Sequence, residues 1–211
     1  MKRLRLPSAL LALAALTACS VLPPRESHDI YLLPQAAAAA APAAAAALPW
    51  QLRVDTPQAD RLLDGSRIAV MPEPGRITVY KGARWAAPAP RLLRDRLIDA
   101  LRTTGRLAGV SSDGEGLYTE YRLDSQLRAF QSEYRDGRPV AVVRLDAILV
   151  DVARNRGVAT RSFVAEQPVD GTAVPQVVAA FGRASDTIAA QVSAWAIEAG
   201  ERDRQATAAS P

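Results

Sequence analysis

Cysteine and histidine each occur once in the 211 residues, as Cys19 and His28. One thiol cannot close an internal disulfide. One imidazole and one thiol fall short of the three or four N/S ligands of a zinc site. Lysine is confined to Lys2 and Lys81, so nearly all positive charge is arginine, which alternates with Asp and Glu throughout. A nucleic-acid binder instead clusters its basic residues on one face among aromatics, and aromatics are only 5% of this chain. No nucleic-acid partner is expected. The glycines mark turns, and neither a Walker loop nor GxGxxG is present. Beyond the N-terminus no segment is long and apolar enough to cross a bilayer, which takes about 20 residues.

What is present begins at the N-terminus. Met1–Arg5 carries positive charge, Leu6–Leu16 is a short apolar run, and Leu16-Thr17-Ala18-Cys19 follows. A charged start, a short apolar core and small residues before a cleavage point form a secretory signal. The cysteine at its end has the form of a lipobox. We therefore expect residues 1–18 to be a lipoprotein signal peptide and Cys19 to be the lipid attachment site. No cofactor is expected other than the covalent lipid, an S-diacylglycerol and an N-acyl group on Cys19. A single acyl chain holds a protein only weakly, and two or more hold it stably. Ser20 resembles the outer-membrane address of such lipoproteins. Losing Lys2, Arg3 and Arg5 with the signal takes the formal net charge from +4 to +1. The mature chain, about 190 residues, suffices for one domain with a substantial core.

Residues 19–29 form a short lipidated tether reaching at most about 35 Å, and 30–199 the folded domain. Ile30–Leu33 reads as a first strand. Residues 35–49 are an alanine-rich loop, divided by Pro42. Strands are expected at Trp50–Asp55, Arg67–Met71 and Ile77–Tyr80, the second stopped by Pro72-Glu73-Pro74-Gly75. Ala59–Asp64 is a turn. Lys81–Pro90 is expected to be a loop with Trp85 at its centre, where the ring either caps the core or contacts a partner. A helix over Arg91–Thr104 presents Leu93, Leu97, Ala100, Leu101 and Thr104 on one face and stops at Gly105. Leu107–Ser112 leads into a polar loop. A meander follows: Tyr121–Tyr134, with Tyr121, Leu123, Ser125, Leu127 and Ala129 on one face, a hairpin at Asp136-Gly137, Val140–Val152, a turn at Asn155-Arg156-Gly157, and Val158–Gln167. Thr172 caps a last helix of about 25 residues with Pro175 in its first turn and Val177, Phe181, Ala184, Ile188, Val192 and Trp195 on its apolar stripe. Trp195 is expected in the core. Gly200 ends that helix, and 200–211 is expected to be a disordered tail. The expected fold class is α+β, a largely antiparallel sheet with two main helices packed on one face.

With Cys19 taken by lipid, no Cys–His or Ser–His–Asp constellation can be assembled. Asp124 and Asp146 could face each other across strands, where solvated or arginine-paired carboxylates are the expectation. We expect no enzyme.

Several stretches stand in a telling order: the lipobox, Ile30-Tyr31-Leu32-Leu33, Leu62–Val70, Tyr80, Arg84-Trp85-Ala86-Ala87-Pro88, the Leu93/Leu97/Leu101 helix with its exit from Gly105 to Val110, the long strand pair, Val178-Ala179-Ala180-Phe181 and Trp195. In this order they resemble the ABC-type transport auxiliary lipoproteins, the group that includes paraquat-inducible protein C. The alanine-rich insertion departs from the usual short connection there. The resemblance implies a lipid-anchored outer-membrane protein facing the periplasm. It would be a non-catalytic auxiliary of an ABC transporter permease/ATPase and a periplasmic mammalian-cell-entry (MCE) domain protein, in a system moving lipids between membranes. The implied role is to dock the periplasmic conduit to the outer membrane, and a homo-oligomeric ring would suit it. A lipid-binding carrier or chaperone and a structural envelope lipoprotein are the competing readings.

Overall fold

A computed structural model describes residues 28–35 and 47–209. The signal peptide 1–18, Cys19, most of the 19–29 tether and most of the alanine-rich 35–49 stretch lie outside the described residues.

Among the described residues nine strands form one sheet: β1 Asp29–Tyr31, β2 Leu48–Val54, β3 Gln58–Ala59, β4 Arg67–Glu73, β5 Arg76–Trp85, β6 Leu107–Ser112, β7 Tyr121–Arg135, β8 Arg138–Asp151 and β9 Arg156–Pro168. Helix α1, Ala89–Thr103, connects β5 to β6, and α2, Val174–Ala208, closes the chain. The architecture is α+β, and the sheet is open and mostly antiparallel. Its spine is β7. One edge of β7 pairs antiparallel with β8 along its whole length, and β8 pairs likewise with β9. The other edge takes three short parallel partners in succession: β2 at Tyr121–Leu123, β3 at Gln126–Leu127 and β4 at Gln131–Glu133. β6 adds outside β2, while β5 and then β1 add outside β4.

The meander forms where alternating apolar residues and turn chemistry place it. Asp136 and Gly137 both adopt positive φ, at 50° and 75°, the geometry of a tight hairpin turn matched to strand twist. Inward residues of β7 and β8, among them Leu123, Leu127, Leu145 and Leu149, are fully buried beneath α2. At Arg128 a bulge breaks the alternation. Phe130, not Ala129, therefore takes the next inward place, opposite Val143. An extra residue on one strand flips every later side chain to the other face.

Other boundaries also move. β4 runs past Met71 to Glu73, and a register irregularity between Val70 and Glu73 accommodates Pro72, which has no amide to donate. β5 continues through Lys81–Trp85, where a loop was expected, because β1 pairs with Ala83–Trp85 and the Trp85 amide donates to Ser66 O at 2.7 Å. Helix α2 passes straight through Gly200 to Ala208. A Cβ at Gly200 would stand 2.8 Å from Trp50 Cζ2, so glycine here permits a close approach and ends nothing. The region expected to be a disordered tail is thus helical from Glu201 to Ala208, held by Arg106–Glu201, Arg156–Asp203 and the Tyr121 hydroxyl, which donates to Asp203.

Both helices pack on one face of the sheet, α2 over β8 and β9, and α1 against α2, β2 and β6. Their apolar stripes meet it as the periodicity requires: Leu93, Leu97 and Leu101 from α1, and Val177, Phe181, Ile188, Val192 and Trp195 from α2, are buried in one core.

Candidate functional site

The described chain starts one residue before β1, and the segment running into β1 is the strongest candidate for a functional feature. β1 lies parallel on the edge of β5, with Ile30 beside Arg84 and Tyr31 beside Trp85. The Ala86 amide donates to Tyr31 O at 2.8 Å. Beyond β1 the chain is gripped by Arg96 of α1. Its guanidinium donates to Leu33 O at 3.2 Å and Pro34 O at 2.6 Å, and its other terminal nitrogen pairs with Asp186 of α2. Arg96 is only 6% exposed, so these are charge-assisted bonds in a protected site. On the facing side Gly182 admits the same backbone, since a Cβ there would sit 2.7 Å from Pro34 O. Two helices therefore clamp the N-terminal segment by its carbonyls. Nothing in the apolar periodicity of α1 marks Arg96. Only the approach of Pro34 and Asp186 gives it a role.

Trp85, the candidate partner contact, is 2% exposed. Its ring packs edge-on against Phe130 at 5.7 Å and Phe181 at 5.4 Å, and those two stack at 4.8 Å. The ring caps the core and has no surface to offer a partner. The strand extension of β5 turns it inward, under α2. The same aromatic cluster lies in the core between the sheet and α2. Trp195 is likewise in the core, edge-on to Phe163 at 5.5 Å.

The helix-free face of the sheet holds a shallow polar cleft of about 660 Å³ lined by Asp55, Arg122, Asp124, Arg128, Asp146 and Ser162. Its carboxylates are engaged. Arg122 donates to Asp124 at 2.6 and 2.8 Å. Asp146 accepts from Ser162 at 2.6 Å and Arg128 at 2.7 Å. Those bonds, Ser162 first, hold the Asp146 carboxyl below its ordinary value. Asp113 is also held low: burial acts upward, but bonds from Thr56 and Arg94 outweigh it. Such carboxylates stay ionised and paired, the opposite of a general acid. Burial pushes the Tyr80 hydroxyl up to about 12 against a bond with Ser132. A second cleft, of about 550 Å³, lies at the end of α2 between Tyr118, Arg154 and Arg204. Among the described residues no group of three His, Cys, Asp or Glu could hold a metal ion, and no helix is long and apolar enough to cross a membrane.

The profile of the ABC-type transport auxiliary lipoprotein component matches residues 31–193. The crystal structure of a Xanthomonas campestris protein is 33% identical, covers 84% of this chain and 99% of its own, and superposes with a TM-score of 0.77. A crystal structure of an uncharacterized protein, 16% identical over 79% of this chain and 97% of its own, has a TM-score of 0.61 and shows the shared fold alone. No curated protein matches the chain. The matched span runs from Tyr31, the last residue of β1, to the middle of α2, taking in the clamp, the aromatic cluster and strands β2 to β9: the chain belongs to the ABC-type transport auxiliary lipoprotein family.

Proposed function

We propose that the protein is a non-catalytic outer-membrane lipoprotein, anchored through lipid on Cys19, that docks the periplasmic end of an ABC/MCE-type lipid transport system to that membrane. Family membership supports a lipid-anchored transport auxiliary. The observation that carries the docking role is the Arg96 clamp on Leu33 and Pro34. A flexible carrier needs only a leash. A fixture that transmits position needs its leash rigidly joined to the body, and a buried guanidinium bridging two helices to the incoming backbone does that. The paired carboxylates of the outer cleft favour a holding role over turnover.

The test has two parts. Mass spectrometry of the natural protein should find diacylglycerol and acyl mass on Cys19. The detergent-solubilised protein should copurify with an MCE-domain protein, and Cys19→Ala should leave a folded protein in the periplasmic fraction that no longer supports transport. Normal membrane fractionation of Cys19→Ala would refute the anchor. Absence of any MCE-domain protein from the purified material would refute the docking role.

A further inference from the structure

We propose that the outward face of β1 and of the extended chain just after it is a membrane-contact surface, in which Ile30 and Leu32 enter the headgroup region of an anionic phospholipid bilayer beside Arg84 and Arg67. The inference rests on the reading that Cys19 carries lipid. Ile30 is 71% exposed and Leu32 75%, the two most exposed of the large apolar side chains among the described residues. Scattered exposed apolar residues are ordinary, but these two are two positions apart, so they project from the same side of an extended chain. Their neighbours Tyr31 and Leu33 turn the other way and pack on the core.

The strand register then places charge beside them. Ile30 is opposite Arg84 on β5, and Arg84 is opposite Arg67 on β4. An aliphatic pair continued by a row of two arginines on one outward face combines apolar insertion with attraction to anionic headgroups. Asp29, the acidic residue of β1, alternates to the opposite side of the strand.

The length of chain toward the lipid decides the occupant. Asp29 stands ten residues after Cys19, and a fully extended connection of that length spans at most about 35 Å. The clamp on Leu33 and Pro34 keeps this edge of the sheet at the tethered end of the body. A protein partner fits less well. Two side chains, one on a three-residue strand and one just after it, supply a small part of the roughly 800 Å² each side of a stable protein interface buries.

The experiment uses the lipidated full-length protein. With its only natural thiol acylated, Ile30→Cys or Leu32→Cys accepts a nitroxide label at one place. The protein is incorporated into vesicles of phosphatidylethanolamine and phosphatidylglycerol, and label collisions with oxygen and with a water-soluble nickel chelate are compared. Val164→Cys, on the outer strand at the far edge of the sheet and 46% exposed, is the water-facing control. Labels at 30 and 32 are expected to shift toward oxygen and away from nickel relative to 164. Adding Arg67→Glu and Arg84→Glu should return the label at 30 toward the control. Nickel access at 30 and 32 equal to that at 164 would overturn the proposal. So would protection from both reagents, which would indicate a second copy or another protein on this face. Labelling of the unsubstituted protein would report a free Cys19 thiol; that outcome overturns the anchor reading, and this inference with it, and is distinguishable from the other two.

Discussion

One glycine and one arginine connect local sequence to distant structure. Gly200 sits in the middle of a helical stretch and faces Trp50, whose ring is buried and packed edge-on to Tyr121 at 4.9 Å. Alanine would gain about 1 kcal/mol of helix propensity. Its Cβ would stand 2.8 Å from a ring with nowhere to move, and overpacking costs about 1–3 kcal/mol. Gly200→Ala is therefore expected to lower stability by about 1 kcal/mol in urea unfolding, and Gly200→Val by more. A helix that ended at this glycine would be unaffected or stabilised. Arg96 makes a different case. Arg96→Met leaves Asp186 without its guanidinium and Leu33 and Pro34 without their donor. Breaking a fully buried pair costs about 3–5 kcal/mol; because Asp186 is partly solvated, about 2 kcal/mol is expected. Limited proteolysis should then cut near residues 29–35 while the rest of the domain resists.

Elements are where expectation and structure separate most. Both helices and the meander follow from apolar periodicity, and their inner faces are those expected except on β7 beyond the Arg128 bulge, where Phe130 replaces Ala129. The ends of β5 and α2 do not follow from it. β5 is extended by β1, a partner about fifty residues earlier in the chain. The last turns of α2 are polar; their ion pairs reach to β9 and to the residue before β6, and a hydrogen bond from the Tyr121 hydroxyl joins them to β7. Removing residues 201–211 should consequently destabilise the domain. The Tyr121 hydroxyl loses its Asp203 acceptor, and Arg106 and Arg156 lose their carboxylates. At about 1 kcal/mol for each of these three partly buried bonds, a loss of about 3 kcal/mol is expected in thermal or denaturant unfolding. An unchanged midpoint would mean that these turns contribute nothing.

For the whole molecule, paired carboxylates on the outer face of the sheet contribute to the response to acid. Asp146 is held below its ordinary value of 3.8 by Ser162 and Arg128, and Glu166 below 4.5 by its bonds from Arg135. A carboxyl with a depressed folded value contributes stability above its unfolded value and loses that contribution as pH falls through the folded one. Stability should therefore hold steady from neutral pH down to about 5 and decline below about 4. Asp146→Asn with Glu166→Gln should flatten that decline. Each pair is partly solvated, so each contributes under about 1 kcal/mol, and urea midpoints at pH 3 and pH 7 are the measurement. A decline of equal slope in the double variant would remove these pairs as its cause.

By itself the sequence determined what is local: the lipobox form around Cys19, two amphipathic helices, the β7–β8–β9 hairpins and the burial of their alternating faces. These features depend on the periods 3.6 and 2 and on turn residues, which neighbours in the chain suffice to define. Only the tertiary structure decided that Trp85 faces inward, that Gly200 is a contact and not a stop, that Arg128 is a bulge, and that Arg96 grips the N-terminal segment. Each of these depends on atoms brought together from far along the chain, and a side chain's spacing says nothing of what will lie opposite it.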